Sequence, residues 1–555
     1  MASNRRAKKT STAFENESRW PLFVLIAVRT IGAAANLIHD CDEVYNYWEP
    51  LHFLLHGFGR QTWEYSSEFG LRSYLYILLH WLVAFPVKLV TGNGQSKLAA
   101  FFAVRIVFGL ISAMLENYLY RVVRRWHAPS AFYFLIILAS SSGMFVSTTS
   151  FLPSTFAMYT LMAASAGIIS RNMTMVIVPA VIGVVVGWPV AGIAFIPLAL
   201  YVLLQPNLAK SFSTLFASLI GTIGLLVAAD TFFYGKLTVS QWNFIKYNVF
   251  GGGQSDLYGV EPWGFYVRNG LNNFNIALPL ALSLPLVALV AWMFGATDGG
   301  SRKETRASDA MFVRVGVVCL SFFVWMLAIS LLPHKEERFM YVVFPQICLA
   351  AALSLSAVQN MASKCFGISA GKALVILILA AQVPLSIMRT SALLANYSAP
   401  MHVYSHLPAN RPESTKDTHG FVNVCVGDEW HRFPSSFFLP SPAYRLQFLK
   451  QGFSGLLPAP FESTSASPPL LNDKNIEAPS LYHNLDDCHF LIDFEVQGRA
   501  LLKAQDDNIE WVAIVEKPFL ENSLSPKLFR ALYIPFVSQE KNHFGRYVLY
   551  ERRIE

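Results

Sequence analysis

The sequence predicts a polytopic α-helical membrane protein with about eleven spans, followed by a small α/β domain. Three observations carry that expectation. Apolar residues make up 54% of the 555-residue chain and charged residues only 14%, against roughly 25% charged in soluble domains. A series of apolar runs approaches or reaches the roughly 17–25 residues that a bilayer crossing needs. Basic residues gather at the ends of these runs, where the orientation bias and anionic lipid account for them. A net charge of +7 distributed in this way is not a nucleic-acid signature. A mean hydropathy of +0.39 excludes an ordinary soluble enzyme.

Residues 1–19 read as a cytosolic basic tail, with Arg5, Arg6, Lys8, Lys9 and Arg19 ahead of a first span that has no cleavable exit. The spans then read Trp20–Ile38, Leu98–Tyr120, Ala131–Thr148, Pro153–Ile169, Met173–Gly187, Val190–Leu204, Phe212–Asp230, Phe274–Phe294, Phe312–Leu332, Tyr341–Val358 and Lys372–Leu393. Residues 20–394 thus form the membrane domain. Tyr74–Val90 is apolar but carries His80, Pro86 and Lys88. It reads either as a further span or as a helix lying in the interface. The interfacial reading puts the basic tail, Arg121, Arg124, Arg125, Arg171, Lys210, Ser301–Arg306 and Lys364 on one side, the cytoplasm. The loops after spans one, seven, nine and eleven then share the lumen with the whole C-terminal part.

From residue 395 to 555 the composition turns polar and proline-rich. Phe421–Val426, Cys488–Phe494, Glu510–Val515 and Arg546–Tyr550 suit strands. Pro526–Leu532 suits a short helix capped by Ser525, and Ser463–Pro468 a mobile loop. This is the expected luminal α/β domain. Cys425 and Cys488 sit at strand-like positions in an oxidising compartment, which allows a disulfide, the alternative being two buried thiols. Asn396-Tyr397-Ser398 is a luminal glycosylation acceptor in this topology, whereas the sequons at Asn16 and Asn172 face the cytosol.

Two charged clusters follow directly on apolar runs: His39-Asp40-Cys41-Asp42-Glu43 and His334-Lys335-Glu336-Glu337-Arg338-Phe339. Ionisable groups at such a depth mark a candidate functional site. Tyr47, Trp48, Trp63 and Glu64 follow the first cluster. Carboxylates with aromatic neighbours suit carbohydrate, since rings stack on a sugar's apolar face and a carboxylate takes a hydroxyl proton. The bland reading is an acidic membrane exit with an aromatic belt. In the second cluster His334, Lys335 and Arg338 could meet a phosphate, or simply neutralise Glu336 and Glu337. Asp40-Cys41-Asp42 spells D-x-D but lies at a membrane exit rather than on a nucleotide-binding domain, so no metal is expected. Gly251-Gly252-Gly253 lacks a following Lys-Ser/Thr, which makes it a flexible loop or lid rather than a P-loop.

Asp42-Glu43 with its aromatics, Trp63-Glu64, Arg72-Ser73-Tyr74 and His334–Phe339 resemble the dolichyl-phosphate-mannose-dependent mannosyltransferases of the endoplasmic reticulum, glycosyltransferase family 22. Asp40-Cys41, Tyr47–Pro50, Tyr234–Leu237, Tyr258–Trp263 and Cys425–Pro440 narrow the resemblance to the α-1,2-mannosyltransferases of the asparagine-linked pathway. It covers nearly the whole chain. It implies a GT-C fold with interfacial helices in the first luminal loop and an active site facing the lumen. It also implies an inverting transfer from dolichyl-phosphate-mannose to a dolichol-diphosphate-linked oligosaccharide, adding the seventh and ninth mannoses. No cofactor or metal is implied.

Under that resemblance Asp42, or alternatively Glu43, is the catalytic carboxylate. Arg338, Lys335 and His334 bind the donor phosphate. Asp40, Tyr47, Trp48, Trp63, Glu64, Tyr258, Glu261 and Trp263 contact sugar or acceptor. Partners are the two lipid-linked substrates and the bilayer. The rival readings are a mannosyltransferase for a glycosylphosphatidylinositol precursor, which the second cluster does not distinguish, and a lipid-linked-sugar transporter, which mid-span charges would favour.

Overall fold

A computed structural model describes residues 18–91, 96–250, 257, 259–293, 302–409, 420–496, 501–502 and 509–554. The chain begins with helix α1 (Trp20–Ala35), which has proline in its first turn. It ends its membrane part with α14 (Ile368–Tyr397). Between them lie α2 (Glu49–His56), α3 (Tyr74–Thr91), α4 (Ser96–Arg124), α5 (Ala128–Ser140), α6 (Pro153–Ser170), α7 (Met173–Ile182), α8 (Gly192–Leu203) and α9 (Leu208–Tyr234). Then come α10 (Ala277–Leu282), α11 (Leu284–Met293), α12 (Arg302–Ser330) and α13 (Phe344–Phe366). Among the described residues, six helices are long and apolar enough to cross a membrane.

Two runs read as single spans are broken. Ala131–Thr148 divides at Ser141, whose backbone is extended, into α5 and Ser142–Ser147. Phe274–Phe294 divides at Asn275, with φ of 48°, so that Phe265–Phe274 is a separate helix before α10. Small residues let the remaining helices approach closely. A Cβ added at Gly109 of α4 would lie 2.9 Å from the Arg29 carbonyl oxygen of α1. Two turns further along α4, the buried Arg29 guanidinium meets Glu116 at 2.9 Å through Nε and through Nη2. A charge pair inside the bundle is thereby matched and hydrogen-bonded.

Helix α3 has the length and apolarity of a span, yet both its ends are held at one end of the bundle. The Tyr74 N–H donates to Asp230, four residues from the end of α9, at 2.8 Å. Lys88 near its other end donates to the Leu55 carbonyl of α2. The third turn of α4 lies beside the end of α1, where Arg105 Nη2 donates to the Asn36 carbonyl at 2.6 Å.

The part after α14 is a six-stranded sheet in the order β5-β3-β2-β6-β8-β7. Its strands are β2 (Val422–Val426), β3 (Tyr444–Leu449), β5 (Tyr482–His483), β6 (Phe490–Glu495), β7 (Ile509–Leu520) and β8 (Phe544–Ile554). Strands β5, β3, β2 and β6 are parallel, and β8 and β7 close the sheet antiparallel. Cys425 on β2 and Cys488 just before β6 form a disulfide with a Cα–Cα distance of 5.8 Å. A two-residue pairing of β1 (Arg60–Gln61) with β4 (Ala459–Pro460) ties the first loop to this part. The Ser463–Pro468 stretch, expected to be mobile, is bonded to the same loop: Ser67 N–H donates to the Ala466 carbonyl at 3.0 Å, and Glu68 N–H to Ser467 Oγ at 2.6 Å. The expected helix is Lys527–Ala531, and Ser525 does not cap it. Its hydroxyl instead accepts from the His543 N–H at 3.0 Å.

Asn396 is buried in the last turn of α14, its Nδ2 donating to the Arg530 carbonyl at 3.4 Å. The folded chain leaves no room for a glycan there, which corrects the sequon reading.

Candidate active site

The first loop turns sharply after α1. The Asp42 N–H donates to Asp40 Oδ1 at 2.8 Å, capping the single turn Cys41–Glu43. A π-helical turn, Val44–Trp48, follows and leads into α2. This phase sends Asp40 and Asp42 into one cavity and Glu43 away from it. Glu43 is buried, accepting from the Phe151 N–H at 2.9 Å and from Trp48 Nε1 at 3.1 Å. Trp48 is packed at 4.2 Å, ring to ring, against Phe101. Glu43 and Trp48 are therefore core, not catalytic or sugar-contacting, and both expectations are corrected.

The second cluster meets the first. Arg338 enters from the turn Glu337–Val343. Its Nη1 lies 2.6 Å from Asp40 Oδ1 and its Nη2 2.6 Å from Asp42 Oδ2. Nη2 also contacts Glu336, whose other oxygen lies 2.9 Å from His334 Nε2. Lys335 behaves differently. Its ammonium is buried and donates to the backbone carbonyls of Glu261 at 2.8 Å and Leu332 at 2.5 Å. It clamps two loops together and does not line the cavity, so it is removed from the phosphate-binding set.

These groups share a cavity of about 780 Å³. The first loop supplies Asp40, Asp42, Tyr45, Tyr47, Trp63, Glu64 and Arg72; the second cluster His334, Glu336, Arg338 and Phe339; the bundle Leu152, Pro153, Trp188 and Val190. The sheet-bearing part closes it with Trp430, Phe453, Leu456 and Leu457. One side is polar and charged, and much of the rest is apolar enough to accept a lipid chain beside a sugar.

Arg72 is a cation with no role assigned from the sequence. It bonds both oxygens of Glu64 at 3.1 and 2.9 Å and donates from Nη1 to the Tyr47 hydroxyl at 2.8 Å. Trp188 was also missed, because the turn Gly187–Pro189 between two apolar runs is too short to read as a functional loop. Glu261 and Trp263 do not line the cavity. The Glu261 side chain lies 3.7 Å from Arg268, and Trp263 is 80% exposed. Their loop docks on the second cluster through its backbone instead: the Glu261 N–H donates to the Pro333 carbonyl at 3.1 Å, and the Gly259 carbonyl lies 3.0 Å from His334 Nδ1. Tyr258 and Gly251–Gly253 lie outside the described residues.

The electrostatics separate the two aspartates. Burial pushes the Asp40 carboxyl up to about 7, with Arg338 offsetting only part of the effect. Burial also acts on Asp42, but Arg338 and Arg72 outweigh it and hold that carboxyl below its ordinary range. His334 is raised by its hydrogen bond to Glu336. Asp42 has the most accessible of the three carboxylates around Arg338, at 40% exposure against 24% for Asp40 and 27% for Glu336. Ligand atoms of Asp40, Cys41 and Asp42 lie within 4.8 Å of one another, close enough to hold a cation. The Arg338 guanidinium bridges the Asp40 and Asp42 carboxylates.

The sequence profile of the Alg9-like mannosyltransferase family matches residues 20–440. A curated relative from Arabidopsis thaliana, "Alpha-1,2-mannosyltransferase ALG9", is 38% identical over 96% of this chain and 92% of its own length. The Homo sapiens protein of the same name is 34% identical over 99% and 89%. A solved structure, ArnT from Cupriavidus metallidurans bound to undecaprenyl phosphate, aligns over 78% of this chain and 85% of its own, with a TM-score of 0.44 and 12% identity. The chain is a glycosyltransferase of the membrane, and it belongs to the Alg9-like mannosyltransferase family.

Proposed function

We propose that this enzyme transfers mannose from dolichyl-phosphate-mannose to a dolichol-diphosphate-linked oligosaccharide in α-1,2 linkage, adding the seventh and ninth residues. It works as a GT-C enzyme on the luminal side of the endoplasmic reticulum membrane, with inversion and without a metal. The α-1,2-mannosyltransferase activity for which the relatives are named supports the linkage. The observation that carries the reading is the direct contact of Asp42 with Arg338 on one wall of the cavity.

In this reading the acceptor 2-hydroxyl hydrogen-bonds to Asp42, the ionised and most accessible carboxylate. The hydroxyl oxygen attacks the anomeric carbon as the bond to the donor phosphate breaks, through an oxocarbenium-like transition state. A carboxylate held below the usual range is a weak base, so the proton passes to Asp42 late, after most of the bond breaking. The electron pair leaves with dolichyl phosphate. Arg338 exchanges part of its carboxylate contact for a phosphate oxygen, and His334 and a protonated Asp40 add donors beside it. Such fixed donors act where the charge develops. Trp63 offers a ring face to the sugars, while the Tyr47 hydroxyl and Glu64 fix Arg72. The sheet-bearing part bounds the acceptor side through Trp430 and Phe453.

The test is turnover of full-length Asp42→Asn with dolichyl-phosphate-mannose and a hexamannosyl acceptor in EDTA, followed by linkage analysis. The parent chain should form an α-1,2 product, and the variant should lose about 10²-fold or more. Normal turnover by Asp42→Asn, or a parent that needs an added divalent ion, would overturn the mechanism.

A further inference from the structure

One segment of the sheet-bearing part runs down the outside of a span. Between β7 and β8 the chain forms two short helices, Lys527–Ala531 and Val537–Lys541, and its contacts with α14 make a ladder. The Tyr397 hydroxyl donates to Asn522 Oδ1 at 2.7 Å, and Asn396 Nδ2 to the Arg530 carbonyl at 3.4 Å. Arg389 Nη1 donates to the Ala531 carbonyl at 3.4 Å, and the Tyr533 N–H to the Met388 carbonyl at 2.9 Å. From Tyr397 to Met388 is about 13 Å along a helix rising ~1.5 Å per residue. The segment therefore descends beside a helix that is apolar enough to cross a bilayer.

It carries exposed apolar side chains downward, with the polar Gln539, Glu540 and Lys541 following them. Leu524, Leu528, Val537 and Phe544 are exposed, and Phe536 is 84% exposed. Ile387, exposed on α14 next to Met388, continues the same surface. Phe536 also adopts φ of 66°. That conformation is an outlier for a bulky residue.

The segment meets most of its own backbone hydrogen bonds. The buried Ser538 hydroxyl accepts from the Ile534 N–H at 2.8 Å and donates to the Leu532 carbonyl at 3.2 Å. Asn542 Nδ2 donates to the Phe529 carbonyl at 3.0 Å, while Pro526 and Pro535 present no N–H. An exposed loop in water has no need of this, but backbone that touches hydrocarbon does. Lys527 and Lys541 flank the apolar tip and are exposed, as suits ammonium groups reaching back to headgroups.

We propose that residues 521–544 form a monotopic membrane element. Phe536, Val537 and Leu528 insert at the headgroup–acyl boundary of the leaflet facing the sheet, and so seat the sheet-bearing part on lipid. The occupant of this face is phospholipid, because the patch is continuous with the apolar flank of α14 and lies below that helix's end.

The test uses the full-length chain with Cys41→Ser and Cys365→Ser, reconstituted in phosphatidylcholine vesicles. An environment-sensitive nitrobenzoxadiazole dye is attached at Phe536→Cys or, as control, at Ile514→Cys. Ile514 is also exposed, on β7 about 20 Å before Leu520 at ~3.3 Å per residue. Doxyl-labelled lipid should quench the dye at position 536 and leave that at 514 bright. No quenching at 536, which would make the patch a protein contact, or equal quenching at both positions, would overturn the proposal.

Discussion

Asp40 and Asp42 are two residues apart, touch the same guanidinium, and are shifted in opposite directions. Divergent carboxyls of this kind separate a proton carrier from an ionised partner. The sequence exposed the cluster, but not which acid faces the cavity. That depends on the Asp40 cap and on the π-helical turn after Glu43, which together rotate Glu43 into the core. Lys335 was illegible for the same reason, since a single turn decides whether an ammonium meets solvent or a carbonyl. The Asp40 shift has a definite consequence for stability. Its carboxyl is raised from 3.8 to about 7 in the fold. Between those values the folded chain holds a proton that the unfolded chain has released, so this group's contribution to stability falls as pH rises through that window. Asp40→Asn cannot ionise. The thermal midpoint of the detergent-solubilised variant should therefore fall less between pH 5 and about 7 than that of the parent. Parallel curves would show that Asp40 does not titrate there.

Among the elements, long apolar runs were legible and their interruptions were not. Hydropathy is an average over a window, whereas Ser141 and Asn275 break helices by single backbone conformations that leave the average unchanged. Helix α3 shows the converse: by composition it resembles a span, and what its two ends meet, Asp230 and the Leu55 carbonyl, is set by contacts that hydropathy does not carry. The strands β2, β6, β7 and β8 were readable from β-branched and aromatic runs. The short β5 and the β1–β4 pair were not, because two residues carry no period. The end of α14 gives a clear test of packing against motif. Asn396 satisfies the sequon rule yet is buried against the helix Lys527–Ala531. Protein purified from a glycosylating host should migrate identically with and without endoglycosidase treatment. A mobility shift that disappears in Asn396→Gln would show that this helix end opens during synthesis.

At the scale of the whole molecule, the first loop is enclosed between the bundle and the sheet-bearing part, and the cavity takes walls from all three. Neither the loop nor the sheet would present these residues alone: Tyr45 donates to the Trp430 carbonyl at 2.7 Å, and Arg60 reaches Gln447 at 2.9 Å. Glu49 is the most deeply placed of these links. Its carboxylate is fully buried at the start of α2, accepting from the Ser436 N–H at 2.5 Å, the Ser436 hydroxyl at 2.9 Å and the Arg60 N–H at 2.8 Å. Burial raises its pKa while these donors oppose the rise. Glu49→Ala would leave three buried donors without an acceptor, each worth about 1–3 kcal/mol when unsatisfied. Thermal unfolding of Glu49→Ala should therefore fall well below the parent. Glu49→Gln, which keeps one carbonyl oxygen, should fall in between, and alanine at the exposed Glu516 should change little. An unchanged midpoint in Glu49→Ala would mean that the sheet is held to the bundle by α14 and the lipid-facing segment alone.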